Sequence, residues 1–455
     1  MSLVRPPAVA GAFYPADPAA LLADVDEMLD GIDSLQPRFG HPKVLVVPHA
    51  GYVYSGGIAA HAYNELLTAR GLIRRVVLLG PVHRVSVRGL ALPQAEAFDT
   101  PLGRVPVDAE AVRLLAGMPQ VVASPPAHAM EHSLEVQLPF LQRVLGEFTL
   151  LPLAVGGATP EEVAQVLELL WGGPETLIVI STDLSHYHEY AEATRIDGET
   201  VERIARLEAG IDHQQACGAT PLNGLLLVAR KRGLAIRRLA ACNSGDTAGG
   251  RGRVVGYASF ALDEGQAVSP EEAGRVLVGM ARAAIGERLG YAQAPAADAA
   301  SWLAQPGATF VTLTREGRLR GCIGSLSAGH PLGADVIANA HSAAFRDPRF
   351  KPLAAAEWPD TQTEVSLLSP VKPIRFADEA ELLERIVPGV DGLILESGGQ
   401  RGTFLPQVWE ALPDKREFLS QLKVKAGLPL DTRIGRCRVL RYRVMKWKQS
   451  DLAAQ

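Results

Sequence analysis

Over residues 1–262, short apolar runs rich in β-branched side chains alternate with longer segments whose apolar positions recur at helical spacing. Five runs read as strands: Lys43 to Pro48, Arg75 to Gly80, Thr149 to Ala154, Thr176 to Ser181 and Arg238 to Ala241. Each is nearly continuous in apolar residues, as strands buried on both faces are. Helical segments are predicted at 18–30, 55–71, 131–144 and 160–173. For the first, Asp17 serves as N-cap, Pro18 sits at the first helical position and Gly31 lies just past the end. Ser55 is the candidate cap of the second. Strands alternating with helices build a parallel sheet with covering helices, an α/β fold.

After Leu262 the rhythm changes. A polar stretch begins at Asp263, and Ser269-Pro-Glu-Glu272 has the features of a helix start, with Ser269 as N-cap, Pro270 at N1 and Glu272 as capping-box acid. Charge shifts at the same place, from 21 basic against 27 acidic residues over 1–262 to 24 against 23 over 263–455. The predicted organisation is a first domain at 1–262, a linker at 263–269 and a second domain at 270–455. The second domain mixes short strands with helices and reads as α+β. Residues 309–313 and 318–323 flank Arg315-Glu-Gly317 as a hairpin, which puts Arg320-Gly-Cys-Ile-Gly324 on its second strand. Near the C-terminus, Arg436, Arg438, Arg441 and Arg443 alternate with one slip, the pattern of a half-exposed edge strand whose charges deter unwanted pairing.

The composition, 47% hydrophobic and 21% charged over 455 residues, is that of a globular protein and excludes disordered or collagen-like chains. A formal net charge of −5 gives no general electrostatic reason to bind nucleic acid or an anionic membrane, so small molecules or proteins are the expected partners. No run reaches the roughly 18–20 apolar residues of a membrane span, and prolines fall where a signal peptide needs its apolar stretch. A cytoplasmic location is expected; the oligomeric state is left open. Cys217, Cys242, Cys322 and Cys437 are too far apart for a CxxC zinc pattern or a dense disulfide framework.

The chemistry lies just after the strands. His49, His83, Asp183 with His186, and Cys242 each follow a different apolar run. In open α/β sheets ligands sit beyond the carboxyl ends of the strands, so these residues can meet in one crevice. Two imidazoles and a thiolate suit iron, copper or zinc. A polar residue after one strand is ordinary loop chemistry; its repetition after four strands carries the argument. The segment from Pro48 to Gly57 leads into a helix whose free N–H groups could hold an anionic substrate beside Tyr54 and Ser55. His132, three residues before Glu135 on one helix face, is a candidate acid/base, with a surface position the competing reading. In the second domain, glycines flank Cys322 and allow a ligand to approach it and Arg320, though a small buried thiol in a tight hairpin explains the same residues. Arg346, Arg349 and Arg401 could add positive charge nearby.

Several stretches resemble the Memo family: AGAFYP at 10–15, PHAGYVYSGGIAAHAY at 48–63, GPVH at 80–83, EHSLEVQLPFLQ at 131–142, STDLSHYH at 181–188 and CNSGDT at 242–247. The resemblance implies a LigB-like fold, that of class III extradiol dioxygenases. It also implies a metal held by His49, His83 and Cys242, with Asp183 and His186 lining the cleft. Extradiol enzymes of this fold use two His and one carboxylate, so a thiolate in third place is a departure. In the second half, GATFVTLTREGRLRGCIGSL at 307–326, AAFRDPRFKPL at 343–353 and DGLILESGGQRGTFLPQVW at 391–409 resemble the AMMECR-type domain. The fusion resembles the AmmeMemoRadiSam system, which implies a radical SAM protein as partner. The leading expectation is a metal-dependent redox enzyme for a small, aromatic or otherwise planar substrate, with His186 as general acid/base and Asp183 orienting it, and iron the first choice of metal before copper or zinc. Metal-assisted hydrolysis and a non-catalytic metal-binding or scaffold role are the alternatives.

Overall fold

The computed structural model describes residues 3–32, 39–265, 268–291 and 301–452; residues 266–267 of the expected linker lie outside these. The described residues form two compact units, one of residues 3–32 and 41–265, the other of residues 39–40 and 268–452.

The strands of the first unit, in chain order, are β1 (Val4–Arg5), β2 (Val44–Val47), β3 (Arg75–Pro81), β4 (Leu90–Leu92), β5 (Ala97–Thr100), β6 (Gly103–Pro106), β7 (Val121–Ala123), β8 (Thr149–Val155), β9 (Thr176–Ser181), β10 (His186–His188), β11 (Ala235–Asn243) and β12 (Val254–Asp263). Among the described residues, nine of them form one sheet in the order β10-β12-β2-β9-β3-β8-β4-β7, with β11 also paired to β12. Its centre, β2-β9-β3-β8, is parallel throughout. Alternate side chains feed two cores. Leu45, Val47, Val76 and Leu78 pack in one; Val44, Val46, Val77, Leu79, Ile178 and Ile180 pack in the other. A sheet buried on both faces explains why these strands lack polar alternation, and the parallel register brings the ends of β2, β9 and β3 side by side.

The helix Pro18–Asp30 has the expected Asp17 cap and Pro18 start. The helix expected at 160–173 ends at Leu169, and two others differ more. The second runs Tyr52–Asn64 and begins after Gly51 with no side-chain cap. The predicted helix at 131–144 is instead a single 3₁₀ turn, Glu135–Gln137, followed by the helix Leu138–Leu145. The Glu131 carboxylate accepts the backbone N–H groups of His132 and Ser133, which fixes a turn where periodicity suggested a helix. His132 and Glu135 therefore do not share a helix face.

The second unit is α+β. One four-stranded antiparallel sheet runs Arg318–Gly324, Thr309–Arg315, Thr361–Leu368, Val444–Lys448; a second four-stranded sheet runs Lys372–Pro373, Arg438–Tyr442, Gly392–Ser397, Gln400–Phe404; and Pro306–Gly307 pairs with His330–Pro331. Ser269 caps the helix Pro270–Arg288 by accepting the Glu272 N–H. The hairpin turns through Glu316 and Gly317, both at positive φ (51° and 74°), the geometry that follows the twist of its strands. The slip in the C-terminal arginine alternation is a change of sheet at Arg443: Val444–Lys448 is the edge strand, whereas Arg438–Tyr442 lies inside its sheet.

Candidate metal centre

His49 follows β2, His83 follows β3, and His132 sits in the turn before the 3₁₀ segment. Their metal-binding atoms all lie within 4.8 Å of one another. The His83 and His132 rings stack at 4.7 Å between centroids, and His49 stands edge-on to both at 5.2 and 5.4 Å.

Hydrogen bonding fixes which nitrogen each ring offers. The Ser181 hydroxyl donates its one proton to the Ser133 carbonyl at 2.6 Å. It must therefore accept from His49 Nδ1, 2.8 Å away, and from the Gln137 amide, 2.9 Å away. His49 thus carries its proton on Nδ1 and its lone pair on Nε2. His83 Nδ1 donates to the Glu131 carboxylate at 2.9 Å, which likewise leaves Nε2 as the lone-pair nitrogen. His132 Nδ1 lies 3.3 Å from the same carboxylate.

Charge follows burial. Burial pushes the His49 pKa well below the ordinary range, reinforced by the neighbouring His132, His83 and His186. His132 is lowered to about 4, by burial and by His83 and Arg84, against the pull of Glu131. Burial would raise Glu131, but hydrogen bonds and charge from His83, with backbone N–H groups, bring it down to about 2. Imidazoles held by hydrogen bonds, with a carboxylate behind two of them, fit a divalent transition metal.

Asp183, after β9, accepts the His49 N–H at 2.7 Å, and its other oxygen lies 3.9 Å from His49 Nε2. Burial raises its pKa to about 7 in spite of the His49 and Ala50 N–H groups. Cys217 faces the same spot, with Sγ 3.2 Å from His49 Nε2; burial, then the Asp183 charge, pushes its thiol up to about 12.

Several expectations need correction. Asp183 pairs with His49 and not with His186, whose ring is held by the Leu184 carbonyl and whose pKa is lowered, chiefly by burial. Cys242 is not among the three clustered ligands. It lies on β11, which β12 separates from β2, and its thiol is raised to about 11 by burial and by Asp246. Ser55 is 2% exposed and donates to the Ala50 carbonyl, so it stabilises its own helix start and does not face a substrate. Tyr54, 39% exposed, is close enough to the buried Tyr257 to raise that phenol, as Asp183 and Cys242 also do after burial itself. In the second unit Arg320 is held by Glu357 through two 2.9 Å bonds. Cys322 accepts from the Thr312 hydroxyl at 3.3 Å, its N–H donates to Asp347, and Arg349 donates to its carbonyl. Glu131, Ser181 and Cys217 were missed by sequence reasoning. For Glu131 the signal was an acid directly before His132.

Over residues 5–261 the chain matches the family model described as Memo-like protein. The chain belongs to the Memo family. Residues 278–447 match a second model, AMMECR1, so the chain joins a Memo unit to an AMMECR1 unit. A MEMO1 family protein of Sulfolobus acidocaldarius is 32% identical over 280 residues, covering 56% of this chain and 98% of that protein. One from Methanopyrus kandleri is 36% identical over 289 residues, covering 57% and 99%. An uncharacterized Pyrococcus horikoshii protein of known crystal structure is 34% identical, covering 38% of this chain and 90% of that one, with a TM-score of 0.36. Among the described residues of the Memo–AMMECR1 chain, no helix is long and apolar enough to cross a membrane.

Proposed function

We propose that the Memo unit is a metal-dependent redox enzyme of LigB-like fold that acts in the cytoplasm on a small, aromatic or otherwise planar substrate. The observation that carries this reading is the convergence of three imidazoles, with ligand atoms within 4.8 Å of one another, two of them oriented by hydrogen bonds they donate to Ser181 and Glu131. His49, His83 and His132 would hold one ion, iron in the first place and copper or zinc next, since imidazole donors suit all three. The ion supplies Lewis acidity and, as iron or copper, redox capacity. Asp183, with its pKa near 7, can receive a proton from a substrate hydroxyl beside His49 at neutral pH. His186 stands within electrostatic reach of His83 as a second proton carrier. The AMMECR1 unit would bind or process a related intermediate near Arg320 and Cys322, and a radical SAM protein is the expected partner.

One feature favours a second reading. Three histidines with an open position are also the donor set of hydrating zinc sites, where bound water ionises near pH 7, so metal-assisted hydrolysis is the alternative.

The test is anaerobic purification, reconstitution with Fe(II), Cu(II) or Zn(II), and elemental analysis of wild type, His132→Ala and Cys242→Ala. Wild type and Cys242→Ala should hold one ion per chain and His132→Ala should not. The reverse pattern would restore Cys242 as the third ligand. Oxygen uptake with catechols by the iron form supports oxidation; anaerobic ester cleavage by the zinc form supports hydrolysis.

A further inference from the structure

Glu131 is 2% exposed and sits in the turn before the 3₁₀ segment. Its carboxylate accepts from the His83 N–H at 2.6 Å, His83 Nδ1 at 2.9 Å, the His132 N–H at 2.9 Å and the Ser133 N–H at 3.0 Å. Among the described residues no Lys or Arg side chain pairs with that carboxylate. Arg5, the nearest guanidinium in the hydrogen-bond network, is otherwise engaged: it donates to the His128 and Glu131 carbonyls and pairs with the buried Glu135 carboxylate. Arg5 thus clamps the backbone of the turn while the Glu131 carboxylate faces two imidazoles.

The groups facing the carboxylate are backbone amides and imidazoles. Both histidines that meet it are members of the three-ligand cluster. One carboxylate therefore touches two of the three candidate ligands.

We propose that Glu131 is the positioning residue of the metal centre: one carboxylate that orients the His83 ring and holds the His132 turn. The inference rests on the three-histidine reading. It adds a division of labour, since His49 is oriented by the Ser181–Gln137 chain whereas His83 and His132 share one carboxylate. Carboxylate-backed imidazoles are stronger donors, and loss of such partners weakens metal binding by about 10- to 100-fold.

Co(II) alone is the probe, with the full chain, its affinity measured by chelator competition and its coordination by visible absorption. Glu131→Gln should bind Co(II) about 10- to 100-fold more weakly, with shifted ligand-field bands, and Glu131→Asp should fall between it and wild type. Should Glu131→Gln fail to fold, the Glu131→Asp spectrum and affinity carry the test. Affinity and bands equal to wild type in the folded Glu131 variants would overturn the assignment. His132→Ala is measured alongside: wild-type Co(II) binding there sinks the three-histidine site itself, whereas normal Glu131 variants beside a failing His132→Ala sink only the role given to Glu131.

Discussion

Asp183 and His132 titrate in opposite senses, which makes the acid–base behaviour of the metal-free protein a residue-level test. His132 has its pKa lowered to about 4, so below its unfolded value near 6.5 the unfolded chain binds the proton first and stability falls as pH drops. Asp183 is raised to about 7, so between its unfolded value near 4 and 7 the folded state binds more protons and stability falls as pH rises. Replacing Asp183 by Asn removes only the second contribution. The melting temperature of Asp183→Asn relative to wild type, in chelator, should therefore be more favourable at pH 8 than at pH 5; an equal or opposite difference would show that Asp183 is not held protonated by burial. Strand-end position made His49, His83 and Asp183 legible in the sequence, because a parallel sheet gathers its carboxyl ends. Glu131 and Ser181 were not, because a hydrogen-bonding partner leaves no periodic trace. Cys242 also follows an apolar run, but on a strand that β12 separates from β2, and the elemental analysis of Cys242→Ala decides its place in the site.

At the scale of elements, close approach sets the tolerance of the site. Gly80, at the end of β3, faces the Ser133 turn, where an added Cβ would come within 2.8 Å of Ser133 Oγ and 3.0 Å of a Leu134 methyl. Gly80→Ala should therefore lower stability by about 1–3 kcal/mol as an overpacked core site and weaken Co(II) binding, since Ser133 also anchors Ser181. Urea titration and chelator competition on one sample would check both. The hairpin of the second unit gives a contrary case. Glu316 adopts φ of 51°, a region glycine and asparagine tolerate better, so Glu316→Gly should leave the stability of that unit unchanged or raise it by up to about 1 kcal/mol. A fall of several kcal/mol would contradict the turn geometry. The hairpin was legible from Arg315-Glu-Gly317. The helix expected at 131–144 was not, because apolar spacing is blind to a carboxylate that captures the backbone donors a helix start would use.

For the whole molecule, composition and charge pointed to two units, and the helix start at Ser269 was visible in four residues. The upstream reach of the second unit was not. Phe39 belongs with it, its ring 5.3 Å from Trp302 at 74° and 6.0 Å from Trp447. Phe39→Ala should lower the unfolding transition of the second unit by about 1–3 kcal/mol, less than for a fully buried phenylalanine because this ring is half-buried. Differential scanning calorimetry should show the other transition unmoved; a shift in the first transition instead would contradict the grouping. Cutting the gene at codon 268 would then orphan an aromatic cluster, so the AMMECR1 half expressed by itself should lack the ring that Phe39 packs against Trp302 and Trp447. The merger of the two modules has in that sense left a signature some 230 positions upstream of the seam.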